Sequence, residues 1–221
     1  MEIWLDTANL ETIKRAQQMG FLYGVTTNPT VVAKSNEVLE DLLEKILALQ
    51  GGPVTVQVIA TEASGMIAQG KALYAFSPRI VVKVPVTAEG LNAIHALNKE
   101  NIPTMATAVF ESSQALLAAS AGAHYVAPYF SRICEADIDG IQVLKTMLHL
   151  LRQYKFNAKL IAASLRTPEQ VRECCEMGAH AVTLNEKVFA DFIQDHPLTT
   201  QSVQRFAKDW ETAKKRKSLP L

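Results

Sequence analysis

The chain of 221 residues is 48% hydrophobic and 20% charged, a composition that excludes a disordered protein and predicts a single globular domain. Its 22 basic and 22 acidic side chains leave a formal net charge of zero, so no overall field attracts nucleic acid or an anionic membrane surface. No apolar run approaches the roughly 20 residues that a membrane-spanning helix needs.

The cysteine and histidine residues indicate neither a disulfide framework nor a zinc site. Three cysteines cannot all pair, and Cys174 and Cys175 are adjacent, which favours a reducing compartment. The five histidines are scattered and form no HxH or HExxH motif. The first residues, MEIWLD, lack the basic and apolar regions of a secretory signal. We therefore expect a cytoplasmic protein without a metal site.

Eight short apolar segments alternate with eight longer amphipathic ones from the N-terminus onward. The apolar segments have the continuous or β-branched character of buried parallel strands, and they cover residues 2–6, 22–26, 54–59, 80–85, 104–109, 125–128, 159–163 and 180–183. The predicted helices cover residues 9–19, 37–49, 61–76, 87–100, 111–121, 137–154, 167–177 and 185–194.

This order predicts an α/β fold, a single (β/α)8 TIM barrel over residues 1–221. Eight units of about 28 residues suffice for a small barrel of this kind. A doubly wound nucleotide-binding sheet would carry a glycine-rich turn after its first strand, and the turn Asp6-Thr7-Ala8-Asn9 has no glycine.

An extra C-terminal helix is predicted at about residues 202–216, where Val203, Phe206 and Trp210 form an apolar stripe. The stripe could cap its own barrel or pack on a neighbouring subunit. Because such a patch is unfavourable when exposed on a monomer, we expect a homo-oligomer. The run from Lys214 to Lys217 indicates a solvated tail, with a contact to a polyanion as the alternative.

Polar residues recur at the carboxyl ends of seven of the eight predicted strands, where the active sites of such barrels lie. They are Asp6, Thr26 with Thr27 and Asn28, Gln57, Lys83, Thr107, Tyr129 with Arg132, and Ser164 with Arg166. The repetition predicts one polar site at the mouth of the barrel.

Lys83 is the most informative of these residues because it lies in the apolar run VVKVPV. Burial disfavours a charged ammonium and leaves a nucleophilic amine. The alternatives are a lysine that reaches solvent at the strand end or one that pairs with Asp6. Together with the other polar residues of the mouth, Lys83 predicts Schiff-base chemistry.

Each companion of Lys83 also has two interpretations. Asp6 could carry protons for the amine or cap the helix that begins near Asn9. Gln57 and Thr107 could position a water or satisfy buried backbone groups, and Tyr129 could exchange protons through that water or be a core aromatic. Arginine pairs bidentately with phosphate, so a phosphate clamp is predicted at Arg132, Ser164 and Arg166, with surface ion pairs of the two arginines as the alternative.

Five segments resemble the small-barrel branch of the transaldolase family, which contains transaldolases and fructose-6-phosphate aldolases. They are LDTAN (5–9), GVTTNPT (24–30), VVKVPVTAEGL (81–91), AGAHYVAPY (121–129) and AASLRTP (162–168). The resemblance covers nearly the whole chain. It implies a (β/α)8 barrel, Schiff-base chemistry without a metal or other cofactor, and a sugar-phosphate substrate in cytoplasmic carbohydrate metabolism.

The resemblance also implies a role for individual residues. Lys83 matches the Schiff-base lysine, Asp6 the acidic residue that moves protons, and Asn28 the amide that orients the lysine and a substrate hydroxyl. Arg132, Ser164 and Arg166 match the phosphate-binding positions. From its place at the end of the second strand, Thr26 is predicted as a further substrate-binding residue. Members of the resembled aldolase branch form rings in which neighbouring subunits exchange their C-terminal helices. The resemblance therefore implies a pentamer or decamer.

Gln57, Thr107 and Tyr129 favour an aldolase, because transaldolases of this family typically carry glutamate and phenylalanine at positions 57 and 129. A tyrosine can help a bound water protonate the enamine and so release a free hydroxyketone. The alternatives are a transaldolase of the pentose phosphate pathway and a non-catalytic sugar-phosphate-binding barrel. Glu135, Asp137 and Asp139 depart from the family pattern and add negative charge near the phosphate positions, although the two aspartates could serve the start of a helix.

Overall fold

A computed structural model describes residues 1–213 of the protein. Eight parallel strands close into a barrel in chain order, with β8 hydrogen-bonded to β1. The strands are β1 (Glu2–Asp6), β2 (Leu22–Thr26), β3 (Val54–Gln57), β4 (Ile80–Pro85), β5 (Thr104–Val109), β6 (Tyr125–Pro128), β7 (Lys159–Ala162) and β8 (Ala181–Asn185). The predicted (β/α)8 TIM barrel is confirmed.

Residues 1–213 contain eleven helices. Eight of them alternate with the strands: α1 (Leu10–Gln18), α3 (Leu39–Leu49), α4 (Ala63–Phe76), α5 (Ala88–Lys99), α6 (Ser112–Ser120), α8 (Gly140–Gln153), α9 (Pro168–Glu176) and α10 (Glu186–Phe192). The additional three are α2 (Pro29–Ser35), α7 (Phe130–Glu135) and the C-terminal α11 (Pro197–Thr212).

The structure corrects several of the predicted elements, among them β3, which ends at Gln57 instead of continuing to residue 59. The sequence pattern missed α2 and α7, which are seven and six residues long and therefore too short to show helical periodicity. The last strand begins at Ala181 and continues to Asn185 instead of ending at Thr183. The C-terminal helix begins at Pro197, a proline in the first turn, and its predicted residues beyond 213 lie outside the described residues, as does the basic run 214–217.

The interior of the barrel is layered because residues two apart on a strand face the same side. A layer of apolar residues lies deeper in the barrel. Polar residues lie two positions later in the chain, closer to the carboxyl-terminal mouth. The stacked pairs are Trp4 and Asp6, Val81 and Lys83, Met105 and Thr107, Ala127 and Tyr129, and Ala181 and Thr183. The carboxyl-terminal mouth therefore carries the polar layer on a packed floor.

The amino-terminal end of the barrel is closed by Glu2. Its carboxylate accepts hydrogen bonds from Trp4 Nε1 at 3.1 Å and from the Tyr125 hydroxyl at 3.0 Å, and it pairs with Lys159. These polar contacts lie on the far side of the apolar layer, at the end of the barrel opposite the carboxyl-terminal mouth.

The C-terminal helix α11 has no buried residue in the single chain. In the predicted stripe, Val203 and Phe206 are each more than half exposed and Trp210 is partly exposed, and Leu198 on the same helix is also more than half exposed. The barrel of the same chain therefore leaves this apolar stripe uncovered.

Candidate active site

A polar cavity of about 420 Å³ opens at the carboxyl ends of the barrel strands. The predicted site residues that line it are Asp6, Asn28, Gln57, Lys83, Tyr129, Arg132 and Ser164. A larger cavity of about 780 Å³ lies beside it and shares Asp6, but Lys83 lines only the smaller one. The buried amine therefore marks the smaller cavity as the candidate site.

Lys83 is held in this cavity by a backbone carbonyl group just after β2. Its side chain is on β4, the residue is only 4% exposed, and its Nζ donates a hydrogen bond to the Thr27 carbonyl oxygen at 3.1 Å. Within residues 1–213, no carboxylate oxygen lies within 4.0 Å of this amine, so the alternative of an ion pair with Asp6 is not observed. Within the described residues, the amine is thus buried, oriented and without a carboxylate partner.

Asp6 is fixed by a pair of threonines. Thr26 Oγ1 donates to Asp6 Oδ1 at 3.1 Å and lies 2.7 Å from Thr183 Oγ1. Because a hydroxyl has one proton, Thr183 donates to Thr26 when Thr26 donates to Asp6. The cap of α1 is Asn9, whose side chain accepts from the Thr12 backbone, so Asp6 is not the helix cap. The Asp6 carboxylate is therefore available to groups in the cavity.

Tyr129 is anchored by a hydroxyl from the neighbouring strand. Thr107, which is completely buried, lies 3.1 Å from the Tyr129 hydroxyl. Beside Thr107, the β5–β6 register shifts and Ala108 adopts a left-handed φ of 56°. Such a bulge re-aims side chains at a barrel rim, and here it accompanies the contact between Thr107 and the phenol.

Asn28 and Gln57 present side-chain amides to the cavity. The Asn28 Oδ1 accepts from the Val31 backbone at 3.0 Å and so caps α2, which leaves its Nδ2 as the available donor. Gln57 is the register partner of Lys83 across β3 and β4. Both amides therefore lie on the wall next to the amine.

Two of the three predicted phosphate residues line the cavity, and the third does not. Arg132 and Ser164 line the cavity, and the Arg132 guanidinium carbon lies 5.0 Å from the centre of the Tyr129 ring. Ser164 adopts a left-handed φ of 58° just after β7. Arg166 does not line the cavity and instead pairs with Glu135.

Sequence reasoning missed Thr183, which lines the cavity and supports Thr26. The signal was available, because Thr183 is the polar residue of the apolar segment AVTL in the eighth strand. Including that strand would have extended the polar pattern from seven strands to all eight.

The fold and the site define a barrel enzyme with a buried lysine at its mouth. Residues 3–218 match a sequence family described as transaldolase/fructose-6-phosphate aldolase. The chain belongs to this family.

The relatives agree with that assignment over nearly their whole length. A "Probable transaldolase" of Geobacillus kaustophilus is 42% identical over 214 residues, which is 97% of this chain and 100% of the relative. A "Probable transaldolase 1" of Listeria monocytogenes is 41% identical over 215 residues, with 97% and 100% coverage. A "Probable transaldolase" of Aquifex aeolicus is 42% identical over 211 residues, with 96% and 97% coverage.

Distant solved structures share the barrel. Thiamine phosphate pyrophosphorylase from Pyrococcus furiosus superposes with a TM-score of 0.58 at 14% identity, covering 94% of this chain and 96% of that one. A mandelate oxidase variant gives 0.59 at 13% identity, with 84% and 64% coverage. At such identities the likeness concerns the fold alone. No helix within residues 1–213 is long and apolar enough to cross a bilayer.

Proposed function

We propose that the protein is a class I aldolase that cleaves or forms a ketose phosphate, as fructose-6-phosphate aldolase does with dihydroxyacetone and glyceraldehyde 3-phosphate. One observation carries this proposal: the Lys83 amine is buried, oriented by a carbonyl oxygen and unpaired with any carboxylate in the described chain, and it opens into a polar cavity. An amine in this setting is a nucleophile for a ketone carbon.

In the proposed cleavage, the Lys83 amine adds to the ketone carbon, and the resulting carbinolamine loses water to give the iminium ion. Asp6 takes and returns the protons of these steps, since its carboxylate lines the same cavity. The bond between the third and fourth carbons then breaks, the substrate hydroxyl on the fourth carbon gives its proton to the Asp6 carboxylate, and the aldehyde leaves. Its bonding electrons remain as an enamine on Lys83.

Release of the three-carbon unit requires a proton on the enamine carbon and then water to hydrolyse the imine. The hydrogen-bonded pair of Thr107 and Tyr129 supports this branch, because a phenol fixed beside the cavity can hold the water that delivers the proton. Gln57 and Asn28 offer amides that hold this water and a substrate hydroxyl. The hydrogen-bonded pair of Thr107 and Tyr129 is the feature that favours an aldolase over a transaldolase.

The second candidate function is transfer of the dihydroxyacetone unit to another aldose phosphate. It is favoured by the relatives, which carry the name probable transaldolase. A third candidate, a non-catalytic sugar-phosphate-binding barrel, would use Arg132 and Ser164 without any turnover.

One assay distinguishes the three candidates. Fructose 6-phosphate is incubated with the protein with and without an acceptor, erythrose 4-phosphate, and dihydroxyacetone and sedoheptulose 7-phosphate are measured. An aldolase releases dihydroxyacetone without the acceptor. A transaldolase turns over only when the acceptor is present, and a binding barrel gives neither product.

We further propose that the protein is a cytoplasmic homo-oligomer, a pentamer or decamer, in which α11 packs on a neighbouring subunit. The exposed stripe of Leu198, Val203 and Phe206 supports this contact, because the chain's own barrel leaves it uncovered. The three free cysteines support a reducing compartment.

A further inference from the structure

Glu135 and Arg166 form a two-pronged ion pair between the loops that follow β6 and β7. Nη1 of Arg166 lies 2.8 Å from Oε1 of Glu135, and Nη2 donates to Oε2 at 3.0 Å. The same two segments contribute Arg132 and Ser164 to the cavity wall. The pair therefore lies beside the part of the site that offers positive charge.

The Glu135 carboxylate binds the Arg166 guanidinium through two parallel contacts, which is the geometry in which a phosphate would bind it. Arg132 precedes Glu135 by three residues on α7, so the two side chains belong to one helix face. Arg132 also stacks on the Tyr129 ring, and Arg166 is paired with Glu135. An anion that binds between the two arginines therefore has to compete with Glu135 for Arg166.

Among the acidic residues of this segment, Glu135 is the one that contacts Arg166. Asp139 caps α8, where its carboxylate accepts from the Gln142 backbone at 2.9 Å. Asp137 forms no ion pair within residues 1–213. The three acids that depart from the family pattern therefore have three different surroundings.

We propose that Glu135 is a specificity-determining residue that lowers the affinity of the site's edge at Arg132 and Arg166 for phosphate, and so narrows the preference for phosphorylated over unphosphorylated hydroxyaldehydes. The inference rests on the proposed aldolase function. A phosphate group must displace the Glu135 carboxylate to reach Arg166, and it then remains close to that negative charge. An uncharged hydroxyaldehyde meets neither obstacle.

The expected effect is modest because both partners are exposed, with 61% and 47% of their side-chain surfaces accessible. Exposed ion pairs are screened by solvent, and their removal typically changes an equilibrium about two- to fivefold. The difference should shrink further with added salt.

The first test is calorimetric titration of the full-length protein with inorganic phosphate. Glu135→Gln should bind phosphate about two- to fivefold more tightly than the wild type. Asp137→Asn is the matched control, because it removes the same charge from the same loop and asparagine tolerates the left-handed φ of 56° at this position. An equal gain in both variants, or no gain in Glu135→Gln, would overturn the proposal.

A second comparison tests whether the effect passes through Arg166. In an Arg166→Gln background, the additional change Glu135→Gln should no longer tighten phosphate binding. A gain that persists in this background would contradict the assigned contact.

The kinetic test compares glyceraldehyde with glyceraldehyde 3-phosphate as acceptors in aldol addition. Glu135→Gln should shift the ratio of their kcat/KM values about two- to fivefold towards the phosphorylated aldehyde. If no variant forms product with either aldehyde, the proposed aldolase function fails, while the phosphate titration still decides the role of Glu135. If product forms and the ratio does not move, the specificity inference fails alone.

Discussion

Lys83 shares its cavity with two hydrogen-bonded groups of different chemistry. Asp6 is held through one oxygen by Thr26, so the other oxygen remains to exchange protons. Tyr129 is held through its hydroxyl by Thr107, in a position to fix a water. In the proposed mechanism, the carboxylate serves formation of the imine and the phenol serves release of the ketone.

The change Tyr129→Phe should therefore slow release of free dihydroxyacetone more than transfer to an added aldehyde. Loss of a general acid typically costs about 10²-fold or more, whereas attack of the enamine on an aldehyde does not use the phenol. We expect release to fall on the order of 10²-fold and transfer by less than about tenfold. Both products can be measured in the acceptor assay.

Thr107→Val serves as the companion variant, because it removes the hydrogen bond to the phenol and retains the buried volume. It should shift the two activities in the same direction by a smaller factor. Equal losses of release and transfer in Tyr129→Phe would show that the ring only packs against Phe110 and Arg132.

At the residue scale, the sequence predicted which side chains meet at the mouth but not how each is held. Polar residues at strand ends were visible as interruptions of apolar runs, and seven of the ten predicted site residues line one cavity. A surface ion pair, the alternative considered for Arg166, is what the structure shows, but its partner Glu135 was not predictable because the two residues are 31 positions apart and meet only through the fold. The role of Asn28 as the cap of α2 was missed together with that helix.

At the scale of elements, strands were predicted more accurately than the short helices. The bounds of β1, β2, β4, β5 and β6 agree with the apolar segments, because parallel strands covered on both faces are apolar throughout. Capping residues explain why the predicted start of α9 agrees with the observed one. There the Thr167 side chain accepts from the Gln170 backbone, and Pro168 lies in the first turn. Helices of six or seven residues offer too few turns for periodicity to identify.

The contact between β7 and β8 contains a histidine that must stay neutral. Nδ1 of His180 accepts from the Leu160 backbone at 3.0 Å, a bond that an imidazolium cannot accept. Burial lowers the pKa of His180, and the positive charges of Arg152 and Lys159 lower this pKa further, while Glu2 opposes them. Burial also lowers the pKa of His124, at the start of β6.

These shifts predict a loss of stability in mild acid. A lowered pKa in the folded state means that stability is fully present above the unfolded pKa of 6.5 and is lost as the pH falls through the folded value. Urea unfolding at pH 7.5 and pH 5 should show a smaller loss for His180→Asn than for the wild type. The amide oxygen of asparagine can accept the Leu160 bond without titrating.

His149→Asn is the matched control, because His149 is exposed on α8. It should lose as much stability between the two pH values as the wild type does. A loss in His180→Asn that equals the wild-type loss would show that His180 does not titrate within this range.

At the scale of the whole molecule, α11 differs from the long helices of the barrel because none of its residues is buried. Exposed Leu198, Val203 and Phe206 lie along one helix that the eight strand–helix units do not need. We therefore predict that deletion of residues 197–221 lowers the subunit number measured by analytical ultracentrifugation. The barrel should remain folded, because no residue of α11 is buried against it.

The paired substitutions Val203→Ser and Phe206→Ser test the same contact in a full-length chain and should also lower the mass in solution. Ile141→Ser is the control, because Ile141 is an exposed apolar residue on α8. An unchanged subunit number in the deletion and in the paired variant would show that α11 does not hold subunits together.

The central claim is that Lys83 forms a covalent imine with a ketose phosphate, and borohydride trapping tests it most directly. The protein is incubated with fructose 6-phosphate, reduced with borohydride and digested, and the adduct is located by mass spectrometry. We predict a substrate-dependent mass increase on the peptide that contains Lys83, and none in Lys83→Met, which should stay folded because it replaces a buried polar amine with an apolar side chain of similar length. The absence of an adduct on Lys83 in an active wild-type enzyme, or retained turnover in Lys83→Met, would contradict the account.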